Sequence, residues 1–468
     1  MVHVVVVGAY GSAGAVVAGE LADEPDVELT LIDDGDPGGG LCILRGCMPS
    51  KEVLSAAAHR YQARHDDRLD GEAPTVDLER TVARKDEHTL GWAGHRRESV
   101  HDLAERENVE FVHDTARFVD DRTIRTDGRE FDADYVVVAT GSTVNVPDLS
   151  GIADVDYHTS ADLLDATDLP DSALVMGLGY VGLEMVPYLS EAGRTDVTAI
   201  EHDDRPLDGV EPAIGQTVLD HYREDFDVTI PTNCEEQRVE PTTDGGVCLR
   251  VEYDDGDEDT FEADRLYLFT GRRPAVDRLG LEHTPISPGE DWVRDTMQAR
   301  GDDRVFVVGD ANGKEPVLHV AKEQGFTAVE NILRHHRGDP LREYDPATHR
   351  VMFTGLGVTP YARVGMTEAE AREAGHDVAT ATREASDDGV FKAKDVPTGV
   401  GKLVVDRADG AVLGWLGLHY HADVMAKTMQ VVVECGIDVR DVPDRAYHPT
   451  TPEILDGLVR ECAAAVEE

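Results

Sequence analysis

The run Gly39-Gly40-Leu41-Cys42-Ile43-Leu44-Arg45-Gly46-Cys47-Met48-Pro49-Ser50-Lys51 places two cysteines five positions apart, directly after a strand-turn-helix-strand pattern. In a regular helix residues i and i+5 point about 140° apart, so bringing these sulfurs together requires a break in the helix. Pro49 supplies a reason for one: a helix is expected to start near it and run through Lys51-Glu52-Val53-Leu54. Cys47 then lies at a helix N-terminus. The positive end of that helix, with Arg45 and Lys51 nearby, is expected to lower the thiol pKa values and favour the reactive thiolate. The pattern reads as a redox-active cysteine pair. Half a zinc site and two ordinary buried cysteines are the alternatives. Cys234, Cys248, Cys435 and Cys462 stand singly, which leaves a zinc site without its second half, and burial is their default reading. Glycines and Arg45, rather than a continuous apolar face, surround Cys42 and Cys47.

Upstream, Val4 to Val7 reads as a buried strand, Gly8-Ala9-Tyr10-Gly11-Ser12-Ala13-Gly14 as a turn, Ala15 to Leu21 as a helix, and Val27 to Ile32 as a strand ending at Asp33. This is a dinucleotide-binding βαβ pattern, in which glycines admit a pyrophosphate to the helix N-terminus and the acid meets ribose hydroxyls. The glycine spacing is irregular, because Tyr10 or Ala9 stands where a glycine belongs. A second copy is cleaner. Ala173 to Met176 leads into Gly177-Leu178-Gly179-Tyr180-Val181-Gly182-Leu183-Glu184, and Val197 to Ile200 ends at Glu201. Pro147 to Gly151 reads as a linker between the two. Strands at Leu266 to Phe269 and Val305 to Val308 end at Thr270-Gly271 and Gly309-Asp310. From about residue 341 alternating strand patterns, Lys402 to Val405 and Val412 to Leu418, precede a helix from about Ala422 to Cys435.

These patterns imply an α/β fold with three domains: residues 1–150 with 266–340, residues 151–265, and an α+β domain at 341–468. With 94 acidic against 44 basic residues the formal charge is -50, spread along the chain, which excludes nucleic acid and anionic membranes as partners. Eight lysines and strings such as Asp254-Asp255-Gly256-Asp257-Glu258-Asp259 resemble proteins of salt-loving cytoplasms, where charge screening makes such a surface tolerable. Six cysteines in 468 residues do not form a secreted disulfide framework, and the expected compartment is reducing cytosol. No apolar run reaches the roughly 20 residues that span a bilayer.

The motifs, taken in order, resemble those of the FAD-dependent pyridine nucleotide-disulfide oxidoreductases, the group of glutathione reductase, dihydrolipoamide dehydrogenase and mercuric reductase. They are the first βαβ unit, the cysteine run, Ala139-Thr140-Gly141-Ser142, the second glycine loop, Thr270 to Pro274, Gly309-Asp310, Leu318-His319-Val320-Ala321, and His448-Pro449-Thr450 with Glu453. The resemblance implies FAD held by Gly8, Gly11, Gly14, Asp33, Gly39, Gly40, Lys51, Ala116, Thr140, Gly141, Ser142, Gly309, Asp310 and His319. It implies NADH or NADPH at Gly177, Gly179, Tyr180, Val181, Gly182 and Glu201, and a cofactor contact at Gly271. It also implies a Cys42–Cys47 redox disulfide with Cys47 against the flavin, and a Lys51–Glu184 ion pair near the ring. His448, oriented by Glu453, would come from the partner subunit of a homodimer built by the C-terminal domain. No metal is implied.

Glu201 favours NADH, while His202 and Arg205 pull toward NADPH. Leu44-Arg45 between the cysteines departs from typical dihydrolipoamide dehydrogenases. The absence of a metal-binding N-terminal domain and of a second thiol pair disfavours mercuric reductase and high-molecular-weight thioredoxin reductase. Arg45 would suit a carboxylate-bearing small disulfide. Given the acidic composition and the use of γ-glutamylcysteine by halophilic archaea, the expected substrate is bis-γ-glutamylcystine. Dihydrolipoamide is the alternative, and a flavin quinone reductase or electron carrier with regulatory cysteines is the reading of a different class.

Overall fold

The computed structural model describes residues 1–207, 209–445 and 447–467. The chain divides into two compact units. The first comprises residues 1–51, 83–145 and 272–345, and the second residues 52–82, 146–271 and 346–468.

In the first unit, Val2–Val7, Val27–Asp33, Val109–His113, Tyr135–Val138 and Val305–Val307 form one parallel sheet, with Val2–Val7 at its centre. Val4, Val5, Val6 and Val136 to Val138 are buried, as runs of valine covered on both faces of a parallel sheet should be. Helix Ser12–Ala22 starts three residues earlier than its apolar pattern suggests, with Gly11 as its cap. It packs on helix Leu318–Arg337 where Gly325 would bring a side-chain carbon to 3.2 Å from the Ala13 carbonyl.

The second unit holds a second parallel sheet, in the order Asp196–Ile200, Ser172–Met176, Arg265–Leu268 and Tyr157–His158. The strand expected to open the return to the first nucleotide unit at residue 266 therefore belongs here. Leu266 pairs with Leu174 and Leu268 with Met176, and the return begins at Arg272, which pairs with Val144. Residues 52–82, expected with the first unit, also fall in the second. The C-terminal segment builds its own five-stranded antiparallel sheet between His349 and His419, with helices Ala422–Glu434 and Glu453–Glu467 packed on it. Of the four single cysteines, Cys234 and Cys462 are buried, Cys248 is partly exposed and Cys435 is exposed, so burial does not hold for the last two. Among the described residues no helix is long and apolar enough to cross a membrane.

Candidate active site

Three consecutive glycines, Gly38 to Gly40, all have positive φ and turn the chain out of the second strand's loop into the short helix Gly40–Leu44. At Gly40 a side-chain carbon would lie 3.0 Å from Gly11 Cα, so the cysteine segment and the first glycine loop touch backbone to backbone. The helix ends at Arg45, whose φ of -142° and ψ of 14° leave helical geometry, and a new helix, Cys47–His65, begins two residues later. That start precedes the expected one at Pro49. Proline is tolerated as its third residue because the first N–H groups of a helix have no intrahelical acceptor. Cys42 is partly buried and Cys47 exposed, and the two are not joined in a disulfide. Both line a cavity of about 130 Å³ with Gly11, Gly141, Gly309, Asp310 and Leu318.

The helix-terminus expectation fails at Cys42. Its hydrogen bond to the Cys47 side chain, followed by burial, pushes the Cys42 thiol up, and Arg96 pulls the other way. A proton shared between two adjacent sulfurs outweighs a helix end that lies one helix away.

Beside this cavity is a cleft of about 430 Å³ lined by Gly8, Gly11, Asp33, Gly39, Gly40, Arg45, Ala116, Thr140, Gly141 and Ser142. The glycine loop is regular once Tyr10 is read as an extra residue. Gly14 sits so close to Gly8 that a side-chain carbon would lie 2.0 Å from its carbonyl oxygen, and Gly11 caps the helix. Tyr10 is buried beside Phe111, with its hydroxyl 2.7 Å from His101 Nε2. Asp33 accepts the Tyr10 and Gly35 N–H groups, each at 2.8 Å, so it fixes the enlarged loop as well as facing the cleft; burial raises its pKa. Ser142 Oγ donates to Asp310 at 2.6 Å and accepts from Arg272. Thr140 Oγ1 is buried with no partner among the described residues, and Gly141 faces open space. An unsatisfied hydroxyl and bare backbone along a cleft at a helix N-terminus fit the ribityl and pyrophosphate parts of a dinucleotide. Lys51 Nζ lies 3.2 Å from Ser50 Oγ. His319 and Gly271 line neither cavity.

In the second unit the same packing recurs without the extra residue. A side-chain carbon on Gly182 would lie 2.1 Å from the Gly177 carbonyl oxygen, and Gly179 caps helix Tyr180–Tyr188, which carries Val181 and Glu184. Gly179, Tyr180 and Glu201 line a cleft of about 400 Å³ with Arg350 and Tyr361. Arg350 donates to the Tyr180 hydroxyl. Glu201 accepts the Asp203 N–H at 3.1 Å, and burial raises its pKa. Both basic residues nearby are engaged: His202 with Glu236 at 2.6 Å and Arg205 with Asp204. Glu184 Oε1 accepts the Phe353 N–H at 3.1 Å.

His448 is 79% exposed, and its Nδ1 lies 3.0 Å from Glu453 Oε1. Glu453 opens the last helix and also accepts the Thr450 N–H at 2.9 Å; that bond and the one to His448 hold its carboxyl below the usual range. An exposed imidazole held by a carboxylate suits proton transfer to a group outside its own unit. Sequence reasoning missed Arg96 and Arg350, which stand in no motif, and gave no role to Arg272, which lies in the Thr270 to Pro274 motif; only their three-dimensional neighbours mark them.

The chain belongs to the pyridine nucleotide-disulphide oxidoreductase family, which matches residues 2–325, and the family's dimerisation domain matches residues 349–458. It is thus a flavoprotein oxidoreductase of the FAD- and NAD(P)H-dependent kind, with two Rossmann-like domains and a C-terminal dimerisation domain, which supports a homodimer. It is 28% identical to a dihydrolipoyl dehydrogenase from Haloferax volcanii, over 97% of this chain and 94% of the relative. It is 30% identical to a mercuric reductase from Streptomyces lividans, over 93% and 91%. The structure of LpdA from Mycobacterium tuberculosis superposes with a TM-score of 0.83 at 23% identity, covering 98% of this chain and 99% of that one, a likeness of fold.

Proposed function

We propose that this protein reduces a small disulfide with NADH, through Cys42 and Cys47, with His448 and Glu453 supplied by the partner subunit. The observation that carries the reading is the cavity that Cys42 and Cys47 share with Gly141, Gly309 and Asp310, next to the dinucleotide cleft. Bound FAD supplies the two-electron link between the nicotinamide and the cysteine pair.

The cysteines do the rest. Cys42 forms a bond to one substrate sulfur as the substrate S–S bond breaks. Its proton passes to His448, which returns it to the departing sulfur. Cys47 then attacks the Cys42 sulfur of the mixed disulfide. The second thiol leaves, the Cys42–Cys47 bond closes, and one NADH and one proton have reduced one disulfide to two thiols. Glu453 holds His448 for both transfers. NADH is favoured over NADPH because Glu201 faces the second cleft while His202 and Arg205 are held by Glu236 and Asp204.

The proposed substrate is bis-γ-glutamylcystine. Its support is the chain's acidic, lysine-poor composition together with its even distance from relatives named for two other substrates, 28% and 30% identity. Arg45 does not add to it, since that side chain lines the dinucleotide cleft. Steady-state kinetics in high salt test the assignment. Bis-γ-glutamylcystine is expected to give the highest kcat/KM among small disulfides, and a value no better than that of lipoamide overturns it.

A further inference from the structure

Helix Leu78–Leu103 sets two residues, one turn apart, against the segment that carries the first cysteine. Ala93 packs so tightly on Gly39 that a side-chain carbon there would lie 3.0 Å from Ala93 Cβ. One turn on, Arg96 Nη1 donates to the Tyr10 carbonyl at 3.3 Å, and a side-chain carbon at Gly40 would lie 3.5 Å from that same oxygen. The guanidinium therefore stands at the first turn of the helix that bears Cys42, and its charge acts on that thiol.

Arg96 is also out of character for this chain. Arg60, Arg106, Arg122 and Arg129 each pair with a carboxylate, as a surplus of acids makes easy. Arg96 is half-buried, and its one hydrogen bond among the described residues is to the Tyr10 carbonyl. It does not line the dinucleotide cleft, where a phosphate could neutralise it. Burial pushes this guanidinium below its usual value, and a charge on Cys42 offsets that. A cation partly withdrawn from water without a counter-ion is unfavourable until an anion appears beside it.

We propose that Arg96 is a positioning residue that stabilises Cys42 as a thiolate when it attacks the substrate disulfide. The inference rests on the disulfide-reductase reading above. His448 of the partner subunit becomes positive only by taking the Cys42 proton, Lys51 donates to Ser50 Oγ, and the other ionisable groups around Cys42 do not supply this charge. Cys47 opposes a second negative sulfur, Asp310 in the same cavity is itself an acid bonded to Ser142, and Arg45 at the end of the Cys42 helix lines the dinucleotide cleft.

The test reduces the holoenzyme with NADH under anaerobic conditions, alkylates it with iodoacetamide across a pH series, and reads the Cys42 peptide by mass spectrometry. Arg96→Gln is expected to move the Cys42 midpoint up by about one pH unit, roughly a tenfold loss of thiolate near neutrality. Arg96→Lys should restore most of the shift. Arg97→Gln, which removes an exposed side chain bonded to the Pro37 carbonyl, should leave the midpoint in place. Arg96→Met, which keeps the packing of the stem, serves if the glutamine variant misfolds. An unchanged midpoint in Arg96→Gln or Arg96→Met overturns the inference, and so does a lysine variant shifted as far as the neutral ones. Failure of NADH to expose Cys42 to alkylation in the unmodified enzyme overturns instead the reading on which it rests.

Discussion

His448 Nδ1 lies 3.0 Å from Glu453 Oε1, and the same carboxylate caps the backbone of Thr450, so one acid fixes both the imidazole and the turn that presents it. Replacing Glu453 by Gln should leave the fold intact and lower disulfide turnover by on the order of a hundredfold, the usual loss when a proton-transfer group is misdirected. Glu453 has a depressed pKa in the folded state, so its contribution is present above its ordinary value of 4.5 and is lost as pH falls below it. The acid limb of the pH–rate profile should therefore change in Glu453→Gln, which steady-state kinetics will show.

Thr140 offers a different kind of test, because its hydroxyl is buried and has no hydrogen-bond partner among the described residues. Thr140→Val should stabilise the flavin-free protein slightly and weaken FAD binding by roughly tenfold, the worth of one hydrogen bond. Thermal melts of apoprotein and a flavin titration measure both. Opposed signs are the expectation, and a variant that gains affinity for FAD would contradict the site.

The two close glycines separate the two cofactors. A side-chain carbon would lie 2.0 Å from the Gly8 carbonyl at Gly14 and 2.1 Å from the Gly177 carbonyl at Gly182. Gly14→Ala should purify without yellow colour. Gly182→Ala should keep its flavin and lose reduction by NADH while still accepting electrons from dithionite.

Burial drives the pKa of His419 down to about 4 against an ordinary value of 6.5. Between those values the unfolded chain binds a proton that the folded chain refuses, so stability rises with pH across this window. The loss at its acid end is about 3 kcal/mol. His419→Leu should flatten the dependence of melting temperature on pH between 4 and 6.5. An equally steep profile in the variant would place the acid sensitivity elsewhere.

Much of this architecture is legible in the sequence because it is written in local chemistry. Runs such as Val4 to Val7 can only be strands covered on both faces, and each glycine loop with its terminal acid states its own geometry. What is not legible depends on distant partners. Tyr10 looks like a defect in the first loop until His101, 91 positions away, and Asp33 are seen to absorb the extra residue. The strand at Arg265–Leu268 reads equally well into either sheet, and only its pairing with Ser172–Met176 decides. The charge state of Cys42 is hidden for the same reason. A helix terminus can be read from Pro49, whereas the neighbouring sulfur, the burial and Arg96 cannot.

Electron exchange between the flavin and the Cys42–Cys47 pair is read by anaerobic titration of the holoenzyme with NADH in high salt, followed by its visible spectrum. A long-wavelength thiolate-to-flavin charge-transfer band, discharged by a small disulfide and absent in Cys47→Ser, is the predicted result. Simple bleaching of the flavin with no such band would contradict it and leave a flavoprotein whose cysteines lie outside the path of electrons.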